Sequence, residues 1–274
     1  MAQPDPSPRK GNIVVYSSCH TWSLVPYLRG ARIELANKYN VTGVVIHLAR
    51  DQNAVADPRF AKIFEEADVI LHHPLDSDRW DGLRVKEFKL KPTCQLFTME
   101  SPQASCWWPV LFRLADWPAV NLLRQGASAD DICRIYDSGK MKIDFKERLE
   151  VDAVRMHQRD LHVDVKSGDF VLKHWKNVKM FSTTNHPTYH VYVWMMDQFA
   201  GLLGFERRGE EEALGVRDFL IEGDGHYPET EYEWRHYGFT YNRRLGHCQG
   251  GNAFYHREIR KIADLWARGP WDER

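Results

Sequence analysis

The sequence has no excess of charge of either sign. Its 274 residues carry 37 lysines and arginines against 38 aspartates and glutamates, a formal net charge of -1. Nucleic-acid binders usually show a strongly basic footprint, so nucleic acid is not an expected partner. A small basic pocket for a phosphorylated cofactor remains compatible with that balance. No stretch approaches the roughly 20 apolar residues of a membrane-spanning helix, so no transmembrane segment is expected. The five cysteines, Cys19, Cys94, Cys106, Cys133 and Cys248, are odd in number and form no CxxC pair. A chain of this length does not need disulfide staples, so reduced thiols and a cytoplasmic location are expected. Residues 1–10 hold prolines at 4, 6 and 8 and no apolar core. They read as a mobile leader rather than a signal peptide, followed by one domain over 11–274. The GxSxG elbow, the GxxxxGK[ST] phosphate loop, GxGxxG and HExxH are all missing. Their absence argues against an ordinary α/β-hydrolase, a P-loop enzyme, a typical nicotinamide dehydrogenase and a zinc site.

What is present is a 43% hydrophobic chain, enough for one substantial core. Short apolar runs alternate with helix-like stretches in the first half. Ile13–Tyr16, Val41–Leu48, Asp68–Leu71 and Cys94–Met99 read as strands, with helices over Leu24–Tyr39 and Pro58–Ala67. Continuous apolar runs separated by helices predict a mostly parallel sheet with helices on both faces. Helices are expected over Trp117–Gln125, Ser128–Tyr136, Lys142–Asp160, Tyr189–Leu203 and Ala253–Ala267, with a fifth strand over Val178–Ser182. The last third, rich in Gly, aromatics and His between Gly223 and Arg244, shows no clear period and reads as a helical and irregular extension.

In open parallel α/β sheets, ligands bind outside the carboxyl ends of the strands. Four polar groups fall at predicted strand ends: Ser18-Cys19-His20, His72-His73, Glu100-Ser101 and Asn185-His186. Cys19 follows a buried strand and precedes a helix, where the dipole and a neighbouring His favour a thiolate. The plainer reading is a small cysteine packing at a strand end. Pro26 suits only the first turn of a helix, so that helix is expected to begin near Ser23. His186 lies in Asn185-His186-Pro187-Thr188 at a strand-to-helix turn. There Pro187 suits the first helical position, and Asn185 or Thr184 suits the cap. Such a histidine reads as a general base or as a loop residue bonded to nearby backbone. His72 and His73 are adjacent and point to opposite faces of a strand, which speaks against a shared metal ion.

Two separated segments resemble the WcbI-type polysaccharide biosynthesis enzymes. VVYSSCHTWSLVPYL is similar to the Asn-Cys-Gln element near their start. VKMFSTTNHPTYHVYVWMMDQFAGLLGF resembles their Asn-His-Pro-Thr strand and following helix, and EEADVILHHPL resembles their third strand. The likeness runs over roughly residues 11–205. Ser18 and His20 stand where the family usually has Asn and Gln, so contacts made by those amides are in question here.

The resemblance implies a three-layer, SGNH-like or Rossmann-like α/β fold. It also implies coenzyme A as cosubstrate and O-acyl transfer, most simply of acetyl, to a sugar of a capsular or related glycan. On it, Cys19 and His186 are expected to be catalytic, while Ser18, His20, Asn185 and Thr188 contact the substrate or the oxyanion. The phosphates of coenzyme A need cations or helix N-termini. Arg50, His72, Arg243 and Arg244 are the candidates, although solvated surface arginines are the plainer reading. The alternatives are a glycan esterase with cysteine in the nucleophile position, whose late Asp-x-x-His pair is not evident, and a non-catalytic glycan- or nucleotide-binding subunit. Monomer and homo-oligomer both stay open.

Overall fold

A computed structural model describes residues 10–52, 57–75, 77–108, 110–111, 116–217, 227–241 and 251–269. In chain order the first elements are β1 (Gly11–Ser17), α1 (Thr21–Gly30), α2 (Ile33–Lys38), β2 (Tyr39–Val45), α3 (Ile46–Asp51), α4 (Pro58–Glu65), β3 (Val69–His72) and β4 (Gln95–Thr98). Then come α5 (Trp117–Arg124), α6 (Ala129–Asp137), α7 (Phe145–Asp160), α8 (Gly168–His174), β5 (Phe181–Thr183) and β6 (His186–Pro187). The last are α9 (Tyr189–Leu202), α10 (Gly209–Gly215), α11 (Glu231–Tyr237) and α12 (Gly251–Ala267). The chain forms two compact units. One comprises Met1–Pro102, His157–Phe170 and Tyr189–Arg217, and the other Gln103–Met156, Val171–Thr188 and Asp218–Arg274.

The first unit holds the expected α/β sheet, four parallel strands in the order β2-β1-β3-β4. Register places Gly43, Val15, Leu71 and Phe97 in one row across it, hence on one face. On that face α1 lies close over Gly43, and Phe199 of α9 meets Phe97 edge-on at 5.9 Å. The opposite face carries Val14, Tyr16, Val44 and Ile70, packed with Phe60 and Phe64 of α4. Three layers result because strands buried on both faces must be covered on both.

Several elements depart from sequence expectation. The second strand stops at Val45, and Ile46 and Ala49 bury one face of α3 instead of continuing the sheet. An apolar run alone does not distinguish strand from buried helix. The helix expected over Leu24–Tyr39 is broken at Arg32, whose side chain is wholly buried. Its guanidinium meets Glu34 at 3.1 Å and the buried Asp197 at 3.5 Å, and it donates to the Glu206 carbonyl at 2.8 Å. A buried cation requires partners, and reaching them overrides helix continuity.

The fifth strand does not join the parallel sheet. Phe181–Thr183 pairs antiparallel with His186–Pro187 in a separate ribbon belonging to the second unit. The outer edge of β4 is met instead by Val165, bridged to Met99, while the Asp164 carboxylate accepts the Thr98 N–H at 2.7 Å. The other elements described in the second unit are helices, and Trp108, Phe145, Phe181 and Tyr255 are fully buried there. Its α11 lies in the stretch that showed no period. Thr230 and Glu233 form a reciprocal capping box at its start, and Gly238, at φ 63°, ends it in the left-handed conformation.

Candidate functional site

In the strand order β2-β1-β3-β4, the chain leaves β1 in one direction to reach β2 and returns past it to reach β3. The crevice beyond the carboxyl ends of β1 and β3 is therefore a topological switch point, where this class of fold binds ligands. Ser17, Ser18, Cys19 and His20 leave β1 at that crevice, and His72 and His73 leave β3 there. The Thr21 and Trp22 N–H groups donate to the Ser18 and Cys19 carbonyls at 3.1 Å, which winds the turn directly into α1. The helix thus begins at Thr21 rather than near Ser23, and Pro26 sits inside its second turn. Cys19 and Ser18 are half-buried, whereas His20 is buried and takes the N-cap position.

Next to Cys19 in the chain, His20 belongs to a histidine cluster. The His20 ring meets the His73 ring edge-on at 5.4 Å and that of Tyr192 at 5.7 Å. Burial, then the neighbouring His20 and His72, push the His73 pKa well below the usual histidine range. His73 is accordingly neutral near pH 7. Its ring bonds to the Glu100 backbone, and its Nε2 lies 3.3 Å from Ser17 Oγ. With one ring N–H given to a carbonyl, the other nitrogen accepts from the Ser17 hydroxyl. His72 is also pushed down, chiefly by burial, and its Nδ1 lies 3.0 Å from the His73 carbonyl.

Glu100, just after β4, is 2% exposed. Burial first, and then the hydrogen bond with Asp160, push its pKa up to about 8. Ser167 Oγ donates to Glu100 at 2.5 Å, and the Ser167 and Gly168 N–H groups donate to Asp160 at 3.1 and 2.9 Å. The Glu100 carboxyl therefore holds its proton near pH 7. Sequence reasoning noted Glu100 and His73 as strand-end groups but missed their partners Ser17, Asp160 and Ser167. The Tyr16↔His72 register brings Ser17 and His73 together, and strand adjacency is not written in local sequence.

A cleft of about 490 Å³ opens in the same unit, lined in part by His72, His73, Leu75, Arg84, Lys86 and Leu96. Arg84 is already held by Asp81 at 2.7 Å and by the Leu75 carbonyl at 3.1 Å, whereas Lys86 is exposed. Of the four cofactor candidates, His72 lines this cleft and Arg50 does not. Arg50 is exposed, bonds to Asp51 at 2.7 Å and lies 5.1 Å over the Trp80 ring. Arg243 and Arg244 lie outside the described residues.

Asn185 and His186 belong to the other unit, Asn185 in the turn of the β5–β6 ribbon and His186 at the start of β6. His186 is exposed, and its Nδ1 lies 2.7 Å from Thr183 Oγ1. That hydroxyl also lies 3.4 Å from Asn185 Oδ1. Pro187 ends β6 rather than opening α9, which starts at Tyr189. Thr188 is fully buried, with its hydroxyl donating to the Lys179 carbonyl at 2.8 Å and its N–H to the Met180 carbonyl at 2.9 Å. Its side chain thus anchors the ribbon to the preceding segment.

Residues 12–208 match the profile of the family described as polysaccharide biosynthesis enzyme WcbI. The chain belongs to the WcbI family. No curated protein matches it. Among solved structures, WcbI itself is similar, described as a novel polysaccharide biosynthesis enzyme in its native form without a disulfide bond between coenzyme A and one of its cysteines. The likeness covers 95% of this chain and 99% of that one, at a TM-score of 0.57 and 11% identity. At that identity the likeness shows a shared fold. Among the described residues of this WcbI-family chain, no helix is long and apolar enough to cross a membrane.

Proposed function

We propose that this WcbI-family chain is a cytoplasmic, coenzyme A-dependent O-acyltransferase. Its acyl group is most simply acetyl, and its acceptor is a hydroxyl of a sugar in a capsular or other cell-surface polysaccharide. The observation that carries this reading is the Cys19 thiol on the β1–α1 turn, at the switch point of the sheet. The solved WcbI structure is described by reference to coenzyme A and a cysteine, and Cys19 is a thiol standing where such folds bind ligands.

Coenzyme A brings the acyl group as a thioester. In one route Cys19 Sγ attacks the thioester carbonyl and releases coenzyme A as its thiol. The sugar hydroxyl then attacks the acylated cysteine, forming the ester and freeing the Cys19 thiol. In the other the hydroxyl attacks directly, with His186 taking its proton and Cys19 shaping the site. Backbone N–H groups of the turn after Cys19, together with Ser18, are suited to a developing oxyanion, and His20 and Asn185 to the acceptor. The apolar walls and the Lys86 ammonium of the cleft beside His72 suit a thioester arm that ends in phosphates.

Intact-mass measurement after incubation with acetyl-coenzyme A is the direct test. An acetyl adduct that disappears in Cys19→Ala supports the covalent route. Binding without an adduct supports direct attack, and absence of coenzyme A binding in calorimetry refutes the proposal.

A further inference from the structure

The second unit contains a cleft of about 520 Å³ that no role above uses. One wall is α5, where Trp117 and Asn121 stand one turn apart on the same face. The other is α7, whose positions 147, 148, 151, 152 and 155 line the cleft at helical spacing. Its floor is fixed. The buried Asp152 accepts the Ser105 and Cys106 N–H groups at 2.5 and 2.7 Å. The buried Asp116 accepts the Leu111 N–H and the Arg148 guanidinium, each at 2.7 Å.

Trp117 is 59% exposed, with the Arg124 guanidinium 5.0 Å from its ring centre. An indole on a concave wall offers an apolar face together with one N–H donor. Around it the lining mixes both signs. Lys142, Arg148 and Arg155 stand against Asp116, Asp144, Glu147 and Asp152, three cations to four carboxylates. Such a lining does not attract a polyanion, which distinguishes it from a site for the phosphates of coenzyme A. It suits a neutral polyol whose hydroxyls both donate and accept and whose C–H face can lie on an aromatic ring. We propose that this cleft binds a neutral saccharide segment, with Trp117 as the stacking platform and Asn121, Glu147 and Arg155 as hydrogen-bonding groups. The proposal rests on the saccharide reading above, but it concerns a site of its own.

Saturation-transfer difference NMR on the full chain tests it, using methyl α-glucoside, methyl α-galactoside, methyl α-mannoside and maltotriose as probes. At least one probe is expected to give a signal that is lost in Trp117→Ala and in Asn121→Ala and kept in Cys19→Ala. Circular dichroism confirms that each variant is folded, and the Asn121 variant serves if the Trp117 variant is not. No signal from any probe overturns the proposal, as does a signal that survives both cleft substitutions. Coenzyme A calorimetry on the same samples separates the two readings. Absence of any probe signal from the unsubstituted chain, with coenzyme A binding intact, removes the cleft alone. Probe binding without coenzyme A binding removes the acyltransferase alone.

Discussion

Gly43→Ala should destabilise the protein through one contact and disturb the candidate site through the same contact. A methyl at position 43 would stand 2.6 Å from Thr21 Cγ2 and 2.9 Å from Val25 Cγ2. Carbon atoms pack best at about 3.5–4.0 Å, so α1 or the strand must shift by several tenths of an ångström or more. Thr21 and Val25 are β-branched, and their stiff χ1 angles limit escape by rotation. Overpacking of this kind costs about 1–3 kcal/mol. Replacing glycine by alanine returns about 0.4–1 kcal/mol through the unfolded chain, leaving a net loss of about 1–2 kcal/mol. Because α1 continues directly from the Cys19 turn, the shift displaces the thiol as well. If the site works as proposed, a misplacement of about 1 Å can lower turnover by about 100-fold. Urea denaturation measures the first effect and the acyl-transfer rate the second. Thr21→Ser removes the nearer methyl while keeping the hydroxyl that faces the Val44 carbonyl at 3.4 Å. The double variant should recover at least about 0.5 kcal/mol relative to additivity. A neutral Gly43→Ala, or strict additivity with Thr21→Ser, would refute the close-approach reasoning.

Two further outcomes follow from buried charge. The folded pKa of Glu100 is raised to about 8, so between the unfolded value near 4.3 and that value the native state binds the extra proton, and stability falls as pH rises. Glu100→Gln should therefore flatten the decline in urea midpoint between pH 7 and 8.5, a window above the titration of unfolded histidines; an unchanged slope counts against the assignment. The buried Glu233, raised to about 7 mainly by burial, should leave a residual slope of the same sign. Arg32→Met strips the buried Asp197 of one cation, and breaking a buried pair costs about 3–5 kcal/mol. Asp197 keeps Arg207 at 3.2 Å and the Arg208 N–H at 2.7 Å, so about 3 kcal/mol is expected by chemical denaturation, and a loss below about 1 kcal/mol would show that those partners suffice.

The sequence by itself determined the α/β class, the four sheet strands, most helices and the strand-end position of Cys19. These are local properties, carried by apolar runs, helical spacing and caps such as the Ser128–Asp131 box at the start of α6. A signal for α11 was also present, in the Thr230-x-x-Glu233 pattern, but the aromatic-rich surroundings hid its period. The tertiary structure decided what depends on which segments become neighbours. It put Ser17 beside His73, buried Glu100 within hydrogen-bonding reach of Asp160, and turned Arg32 inward to Asp197. It also gave the Asn-His-Pro-Thr block to an antiparallel ribbon rather than to the sheet, because the partner of a short apolar run is chosen by packing and not by the run.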